Sequence, residues 1–285
     1  MVSNWNPYDC IPTLTKRGVA YIHAQAKTDK PFFLYFAFPS PHAPIIPNDE
    51  FDGKSKAGPY GDFVYETDDA CGQLLKALAD SGQADNTIVI FTADNGPEKY
   101  AYARDEKFDH WSAKPFRGLK RDIYEGGHHV PFLVRWPGFA QAGAVSEALV
   151  SQVDVMATLA EIIGYDLPDD AAEDSHSMRT LLLGEDDGMR DTIIHNTFAN
   201  AYAIRHGDWI LIDAKTGYHS GRNKAWEERR DYPPDDKQDV ELYNLKDDVG
   251  QKVNLANKHP DTVSELNSLL TKIRKQGHSA PRLAK

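Results

Sequence analysis

The spacing of hydrophobic positions predicts three amphipathic helices in the first part of the chain. Residues 12–27 carry apolar positions at loosely helical spacing, and residues 60–82 carry an apolar stripe that ends at a glycine. Residues 151–164 place apolar side chains at every third or fourth position before a terminal glycine. A stripe of this kind is typical of a helix that packs one face against a core.

Short apolar runs between these helices predict strands. The aromatic-rich run 31–38 is typical of a strand buried on both faces, 86–92 predicts a second buried strand, and 130–136 predicts a third. Segments 39–59 and 98–129 lack either pattern, and we expect loops there. Alternation of strands and helices predicts an α/β layer with a largely parallel sheet.

The pattern changes in the last third of the chain. Residues 201–213 and 240–245 alternate like strands of an antiparallel sheet, with a long charged loop between them. A final helix is predicted over 260–276, with its apolar side chains on one side. We therefore expect one domain over 1–185 and a smaller carboxy-terminal α+β subdomain over 186–285.

Composition narrows the class of protein. The chain has 285 residues and a formal charge of −11, with 41% hydrophobic and 26% charged residues, which is typical of a globular protein. The acidic balance argues against a nucleic-acid partner, because such proteins present a basic face to phosphates. Cys10 and Cys71 lack zinc-site spacing and could form one disulfide. No apolar run is long enough to predict a membrane span, and the opening residues do not resemble a secretory signal.

Asp94 and Asn95 are the first candidates for chemistry. They follow a predicted buried strand, at the strand end where open α/β sheets place their ligands. A carboxylate beside an amide oxygen suits a hard cation such as Ca²⁺ or Mg²⁺. The alternative is a simple turn, since Asp-Asn-Gly is favourable turn chemistry without any metal.

Lys120 and His42 are candidates for contact with an anion. Lys120 precedes a Glu-Gly-Gly turn and could project its charge into the same cleft; the alternative is a solvated lysine in a basic loop. His42 lies in a proline-flanked loop directly after a predicted strand, which limits its backbone and favours a fixed imidazole for proton transfer. A lone loop histidine is otherwise an ordinary surface residue.

These segments together resemble the sulfatases of the alkaline-phosphatase-like superfamily, particularly the arylsulfatase type. The resemblance covers almost the whole chain and rests on five motifs in one order: PFFLYFAFPSPHAP, NTIVIFTADNG, RGLKRDIYEGGHHVPFLVRWPG, SQVDVMATLAEIIG and ELYNLKDDVGQKVNLA. It implies a hydrolase of sulfate esters, with a largely parallel sheet flanked by helices and a carboxy-terminal subdomain.

The resemblance also implies roles for the candidate residues. Asp94 and Asn95 match two ligands of the family's cation, Ca²⁺ in preference to Mg²⁺. His42 matches the histidine that contacts the sulfate ester and assists the leaving oxygen, and Lys120 matches the lysine that holds a sulfate oxygen. Both would therefore be catalytic and substrate-binding residues. The implied substrate is a small-molecule or carbohydrate sulfate ester.

One expected part of the family pattern is missing from this sequence. Family members use a formylglycine made within a Cys/Ser-x-Pro-x-Arg motif, and the nearest match, at Cys10, has Leu14 in place of the arginine. We therefore expect an amino-terminally truncated sulfatase, with an incomplete catalytic domain over 1–185 and a natural start upstream of Met1. Such a start would be compatible with a periplasmic or extracellular protein.

Two alternative functions remain open at this point. The first is a phosphodiester or phosphonate hydrolase of the same superfamily, since the nucleophile would distinguish these reactions. The second is a non-catalytic remnant that binds a sulfated ligand or a protein partner. Nothing in the sequence indicates the particular ester or the oligomeric state.

Overall fold

A computed structural model describes residues 5–186, 188, 190–198, 200–234 and 237–281, so Met1 lies outside the described residues. Within them the helices are α1 (Cys10–Gln25), α2 (Pro59–Asp80), α3 (Ala101–Phe108), α4 (Glu125–His128), α5 (Asp154–Ile163), α6 (Arg179–Leu182), α7 (Lys224–Arg229) and α8 (Pro260–Gln276). The strands are β1 (Val89–Thr92), β2 (Phe132–Arg135), β3 (Thr192–Asn196), β4 (Tyr202–His206), β5 (Trp209–Asp213) and β6 (Glu241–Asn244).

The chain divides into two compact units. The first comprises residues 1–89 and 100–112, and the second comprises residues 90–99 and 113–285. The domain boundary expected near residue 185 stays a prediction. None of the described helices combines the length and the apolar character that a bilayer crossing requires.

The first unit is built on α1 and α2, which confirm the helices predicted over 12–27 and 60–82. Ile11 of α1 packs with Phe63 and Ala70 of α2 in one apolar cluster. A second cluster joins Ile22 to the far end of α2. Both thiols, Cys10 in α1 and Cys71 in α2, are free and half-buried.

The prediction of a strand buried on both faces is wrong for residues 31–38, to which no strand is assigned. Phe32 and Leu34 pack against the cluster of α1 and α2. Phe33 and Tyr35, which alternate with them, are 73% and 82% exposed. Phe33 and Tyr35 are exposed because, among the residues described for this unit, α1 and α2 cover only the opposite face of the segment. The apolar run is therefore half-buried.

In the second unit, β1 pairs with β2 in a two-stranded sheet. The last three residues of β1 belong to this unit. Both strands are shorter than predicted, and they are not fully buried, because Phe91 is 46% and Leu133 59% exposed. The expectation of a buried strand over 86–92 is thus wrong at Phe91. The polar residues that follow β1 still begin directly at the carboxyl end of this strand.

Helix α5 confirms the helix predicted over 151–164, but only part of the predicted apolar stripe is buried. Met156 and Ile163 are 56% and 74% exposed, whereas Ala160 of the stripe and the polar Asp154 are buried. Asp154 faces inward because it holds a neighbouring segment: its carboxylate accepts a hydrogen bond from the backbone N–H of His176 at 3.0 Å. Hydrogen bonding and the burial of small apolar side chains together orient this helix.

The carboxy-terminal part forms the expected antiparallel sheet, in the order β3-β4-β5-β6. The register pairs Ile204 with Leu211 and Leu211 with Leu242 across three strands. Leu266 and Leu270 of α8 pack on these side chains. The helix predicted over 260–276 is confirmed at both ends, and the sheet supports the predicted α+β organisation.

Five of these elements were not predicted. Helices α3 and α4 lie within the expected loop over 98–129, α7 lies in the charged loop, and α6 and β3 precede the predicted carboxy-terminal strands. Helix α3 has no apolar stripe, because its buried residues include Arg104 and Asp105. The guanidinium of Arg104 lies over the Tyr60 ring at 3.7 Å from its centroid. A buried face of charged side chains gives no hydrophobic period to detect.

Candidate active site

Two of the three predicted polar groups lie side by side in the second unit. The backbone N–H of Lys120 donates to the carbonyl oxygen of Pro97 at 2.9 Å, and the N–H of Gly96 donates to the carbonyl of Gly127 at 3.0 Å. These two bonds fasten the loop after β1 to the loop that carries Lys120. Asp94 and Asn95 directly precede Gly96 and Pro97, the two residues that make these bonds.

Glycine is required at this contact because the two backbones approach closely. A Cβ atom on Gly96 would lie 1.8 Å from the carbonyl oxygen of Gly126. On Gly127 it would lie 2.3 Å from the carbonyl oxygen of Asp122. A side chain at Gly96 would therefore force the two loops apart, and one at Gly127 would distort the Lys120 loop itself. The glycine of the Asp-Asn-Gly motif serves the contact between the loops, and Gly127 serves the fold of the lysine loop.

The charge around Lys120 is arranged as two cations and one carboxylate. The Lys120 side chain is 23% exposed, with Nζ 3.9 Å from Oε1 of Glu98. Arg121 donates two hydrogen bonds to the same carboxylate, at 2.8 and 3.1 Å. The Arg121 hydrogen bond holds the pKa of Glu98 below its ordinary value although partial burial opposes this. Because Arg121 takes most of the hydrogen-bonding capacity of Glu98, the Lys120 ammonium keeps donors that suit an anionic ligand.

Asp94 and Asn95 present oxygen atoms that could bind a cation. The exposed Asp94 carboxylate has no hydrogen-bond or ion-pair partner within the described residues. The amide nitrogen of Asn95 donates to the carbonyl of Gly96 at 2.9 Å, so its amide oxygen is the atom left for a ligand. These two donors fit part of a calcium shell, which takes six to eight oxygens. The described part of the chain contains no group of three or more His, Cys, Asp or Glu able to hold a metal.

His42 belongs to the first unit, where two contacts fix its loop. Thr67 of α2 bonds the Ser40 hydroxyl at 2.7 Å, and Glu66 accepts from the backbone N–H of Asn48 at 2.9 Å. The exposed imidazole donates from Nδ1 to the carbonyl oxygen of Ala43 at 2.7 Å. This bond leaves Nε2 as the atom available for chemistry. That His42 acts together with Lys120 stays a prediction.

Asp122 anchors the Lys120 loop and was not predicted as a functional residue. Its side chain is fully buried and accepts from the backbone N–H of Leu119 at 2.9 Å. It also accepts from the N–H groups of His219 and Ser220, both at 2.7 Å. A single carboxylate thus joins the lysine loop to a loop about a hundred residues later in the chain. No local pattern in the sequence signals such a partner.

Arg117 forms a second anchor at the base of the same loop. Its buried guanidinium donates to the Tyr218 hydroxyl at 3.0 Å, to the Gln251 carbonyl at 2.9 Å and to Glu227 at 3.1 Å. It also lies over the Tyr124 ring, 4.2 Å from its centroid. Arg117 and Asp122 together make the lysine loop continuous with the carboxy-terminal part of the unit.

Of the two histidines that follow Glu-Gly-Gly, His128 carries no positive charge. Burial, reinforced by His195, lowers the pKa of His128 to about 3, so its ring is neutral at physiological pH. Glu125 is buried beside them and pairs with Nδ1 of His129 at 2.9 Å. Burial acts to raise the pKa of Glu125, but the hydrogen bond from His129 and nearby positive charge lower it overall. The carboxylate therefore stays ionised under the loop.

The second unit has a two-stranded sheet with polar loops after β1, followed by a four-stranded antiparallel sheet, which agrees with the alkaline-phosphatase-like architecture predicted from the sequence. The sequence profile of the sulfatase family matches residues 4–165. A second profile, the carboxy-terminal domain of N-sulphoglucosamine sulphohydrolase, matches residues 118–276. The chain therefore belongs to the sulfatase family, which confirms the resemblance.

Curated relatives agree with this assignment. The chain is 34% identical over 274 residues to an N-acetylgalactosamine-6-O-sulfatase of Bacteroides thetaiotaomicron, covering 95% of this chain and 52% of the relative. It is 35% identical over 208 residues to human arylsulfatase A, covering 70% of this chain and 40% of the relative. The chain thus spans about half the length, or less, of the curated relatives it matches.

Solved structures confirm the predicted fold class. A structure described for glycosaminoglycan metabolism by Bacteroides thetaiotaomicron matches with a TM-score of 0.80 and 31% identity, over 95% of this chain and 55% of the other. A sulfatase of Pseudoalteromonas sp. matches with a TM-score of 0.76 and 22% identity, over 96% and 55%. A phosphonate monoester hydrolase of Silicibacter pomeroyi matches with a TM-score of 0.53 and 20% identity, over 76% and 40%. The last two likenesses concern the fold alone.

Proposed function

We propose that the protein hydrolyses sulfate esters and that Lys120 binds a sulfate oxygen. The observation that carries this proposal is the pair of backbone bonds that fastens the lysine loop to the loop of Asp94 and Asn95. Fixed positive charge beside oxygen ligands stabilises negative charge that develops on a leaving oxygen. Membership of the sulfatase family supports the same reaction.

His42 is proposed to assist departure of the alcohol or phenol oxygen. Its Nδ1 is engaged with the Ala43 carbonyl, so the ring is held in one tautomer and orientation. Nε2 can then donate a proton to the leaving oxygen when the imidazole is protonated. The exposure of the ring makes this atom accessible to a substrate.

Asp94 and Asn95 are proposed as oxygen ligands of Ca²⁺ in preference to Mg²⁺. Calcium accepts carboxylate and amide oxygens in flexible geometry, whereas magnesium demands a near-ideal octahedron. When bound, such a cation would withdraw charge from the sulfate oxygens. The resemblance implies a formylglycine nucleophile, but the sequence carries no Cys/Ser-x-Pro-x-Arg segment, so no residue of this chain is assigned that role.

The proposed substrate class is a carbohydrate sulfate ester. Two relatives support it by their names: the bacterial N-acetylgalactosamine-6-O-sulfatase, and a human N-acetylgalactosamine-6-sulfatase that is 39% identical over 168 residues. For the alternative of phosphodiester or phosphonate hydrolysis, the only support is a likeness in fold to a phosphonate monoester hydrolase. A non-catalytic role in ligand binding is the alternative that a binding measurement can distinguish.

The test compares Lys120→Ala with Lys114→Ala, which changes an exposed lysine of the same loop. Turnover of 4-nitrophenyl sulfate is measured beside that of 4-nitrophenyl phenylphosphonate. We expect sulfate turnover to exceed phosphonate turnover, and Lys120→Ala to lower kcat/KM for the sulfate by about 100-fold, the usual effect of losing one charge-stabilising group. Lys114→Ala should leave kcat/KM unchanged.

Three results would contradict the proposal in different ways. Preferential turnover of the phosphonate would favour the phosphoryl-type alternative. Sulfate turnover that survives Lys120→Ala would remove Lys120 from the site. Sulfate-ester binding without turnover, lost in Lys120→Ala, would contradict hydrolysis by this chain, to which no nucleophile is assigned, and would favour the non-catalytic alternative.

A further inference from the structure

An exposed aromatic side chain is fixed beside the loop of Lys120. Phe198 is 74% exposed and follows strand β3. The residue before it, Thr197, donates from its hydroxyl to the backbone carbonyl of Arg121 at 2.7 Å. Phe198 is thus one residue away from a direct contact with the neighbour of Lys120. Its backbone is restrained although its side chain is open to solvent.

His219 reaches the same place from another part of the chain. Its backbone N–H is bound by the buried carboxylate of Asp122, two residues beyond Lys120. The imidazole meets the ring of Phe198 edge to face, with centroids 6.1 Å apart and planes at 73°. The rings of Phe198 and His219 are therefore in contact, and the loops that carry them are hydrogen-bonded to Arg121 and Asp122 respectively.

The ring of His219, and not its free nitrogen, is the part that supports Phe198. Nε2 of His219 is shielded from solvent and has no hydrogen-bond partner within the described residues, so it is closed to an entering hydroxyl group. The edge-to-face contact restrains the orientation of the phenyl ring of Phe198, because aromatic pairs favour this geometry.

A single exposed aromatic residue is common on protein surfaces and needs no function by itself. Phe198 differs because its turn and the partner ring are both anchored to the candidate lysine loop. A site of this kind combines an apolar surface with a few placed polar groups, as small-molecule sites generally do. The positive charge of Lys120 and Arg121 lies on the adjoining segment.

We propose that Phe198, held in place by His219, binds the sugar ring of a sulfated carbohydrate whose sulfate is held by Lys120. The proposal rests on the proposed function and adds a residue that determines the substrate class. A pyranose ring presents an apolar C–H face, which can pack on the exposed phenyl ring of Phe198. His219 acts as a positioning residue through its edge-to-face contact with that ring.

The test is calorimetric titration of the whole chain with N-acetylgalactosamine 6-sulfate and, separately, with inorganic sulfate. Phe198→Ala and His219→Ala should each weaken binding of the sugar sulfate by about tenfold, the loss of one good contact. Neither should change the affinity for inorganic sulfate. His219→Phe, which keeps an aromatic ring against Phe198, should recover most of the loss. Tyr165→Ala, a 58% exposed aromatic residue of another segment, is the control and should have no effect.

The outcomes separate this inference from the function on which it rests. Unchanged affinity of both variants for the sugar sulfate would overturn the sugar-binding role while leaving Lys120 in place. An equal loss for inorganic sulfate would show that the two residues support the lysine loop and do not contact sugar. Failure of the unsubstituted chain to bind either ligand would overturn the proposed function and the inference with it. Thermal unfolding of each variant checks that the fold is retained.

Discussion

Lys120 and Arg121 are adjacent cations that face the same carboxylate at different distances, and the difference suits them to different tasks. Arg121 occupies the carboxylate of Glu98 through two short hydrogen bonds, while Nζ of Lys120 stays 3.9 Å away from it. Arginine forms such paired bonds with a carboxylate because its guanidinium is a planar fork. Glu98 is thereby largely satisfied by Arg121. The lysine ammonium keeps hydrogen-bond donors for a further anion.

Asp94 allows a direct test of the cation site at the level of one side chain. Because its carboxylate is exposed and unpaired among the described residues, Asp94→Ala should remove a ligand without disturbing the fold. We expect Ca²⁺ affinity, measured by calorimetry, to fall by at least about tenfold. Asp166→Ala changes another exposed aspartate of the same unit and should leave it intact. Identical Ca²⁺ binding by Asp94→Ala and the parent would exclude Asp94 as a ligand.

At the scale of elements, strand β6 contributes a buried acid to the support of the lysine loop. The carboxylate of Glu241 accepts from the Tyr124 hydroxyl at 3.0 Å and from the N–H of Gly217 at 3.3 Å. Burial raises the pKa of Glu241 to about 7, although Arg117 and the neighbouring tyrosine hydroxyls oppose the shift. This strand end therefore titrates close to physiological pH.

The raised pKa of Glu241 predicts a stability that falls as pH rises. Unfolded, the carboxyl loses its proton near its ordinary pKa of 4.5, whereas folded it keeps the proton up to about pH 7. Between these values unfolding releases a proton, so the free energy of unfolding decreases by up to about 3 kcal/mol. Glu241→Gln should remove this decrease. Urea unfolding at pH 5 and pH 8 should show the variant gaining on the parent at the higher pH.

A control separates Glu241 from the other acids of the chain. Glu228→Gln alters an exposed glutamate of α7 and should preserve the pH dependence of the parent. If Glu241→Gln and the parent lose the same stability between pH 5 and pH 8, Glu241 does not hold a proton in the folded protein. The buried contact with Tyr124 would then have to be an ionised one.

The elements that the sequence predicts well are those whose apolar residues form the core. Helix α8 and the paired strands β4 and β5 match their predictions because Leu266, Leu270 and the residues facing them are fully covered. Helix α5 departs from its prediction because hydrogen bonds to Asp154 outweigh the burial of Met156. Periodicity locates such a helix correctly but cannot tell which face is buried.

The residues of the candidate site also divide into those that the sequence predicts and those that it does not. Asp94, Asn95 and Lys120 were identified because they stand in local motifs, and their loops do lie together in the second unit. Asp122 and Arg117 were missed because their partners are 97 to 134 residues away in the chain. Only the folded arrangement of the carboxy-terminal sheet brings those partners to the loop. Sequence spacing carries no information about such pairs.

At the scale of the whole molecule, each of the two units exposes large apolar side chains. In the first unit, Phe33 and Tyr35 are 73% and 82% exposed on one face of segment 31–38. In the second unit, Met156 and Ile163 expose the apolar side of α5. Contiguous apolar patches on a soluble protein mark contacts with other chains or a tendency to aggregate. We therefore expect self-association of the chain to depend on these exposed apolar faces.

Segment 31–38 offers a test of this idea that compares its two faces. The double variant Phe33→Ser/Tyr35→Ser should lower concentration-dependent self-association, which is measured by sedimentation. It should change the free energy of unfolding by less than about 1 kcal/mol, because substitutions at exposed positions cost little stability. Phe32→Ser, on the face packed against α1 and α2, should instead destabilise the chain by about 3 kcal/mol, because it removes an aromatic ring from an apolar cluster. Tyr65→Ser, at a 52% exposed position of α2, should change neither quantity. A parent chain that sediments as a monomer at every concentration, or a double variant as unstable as Phe32→Ser, would show that the outer face is not an association surface.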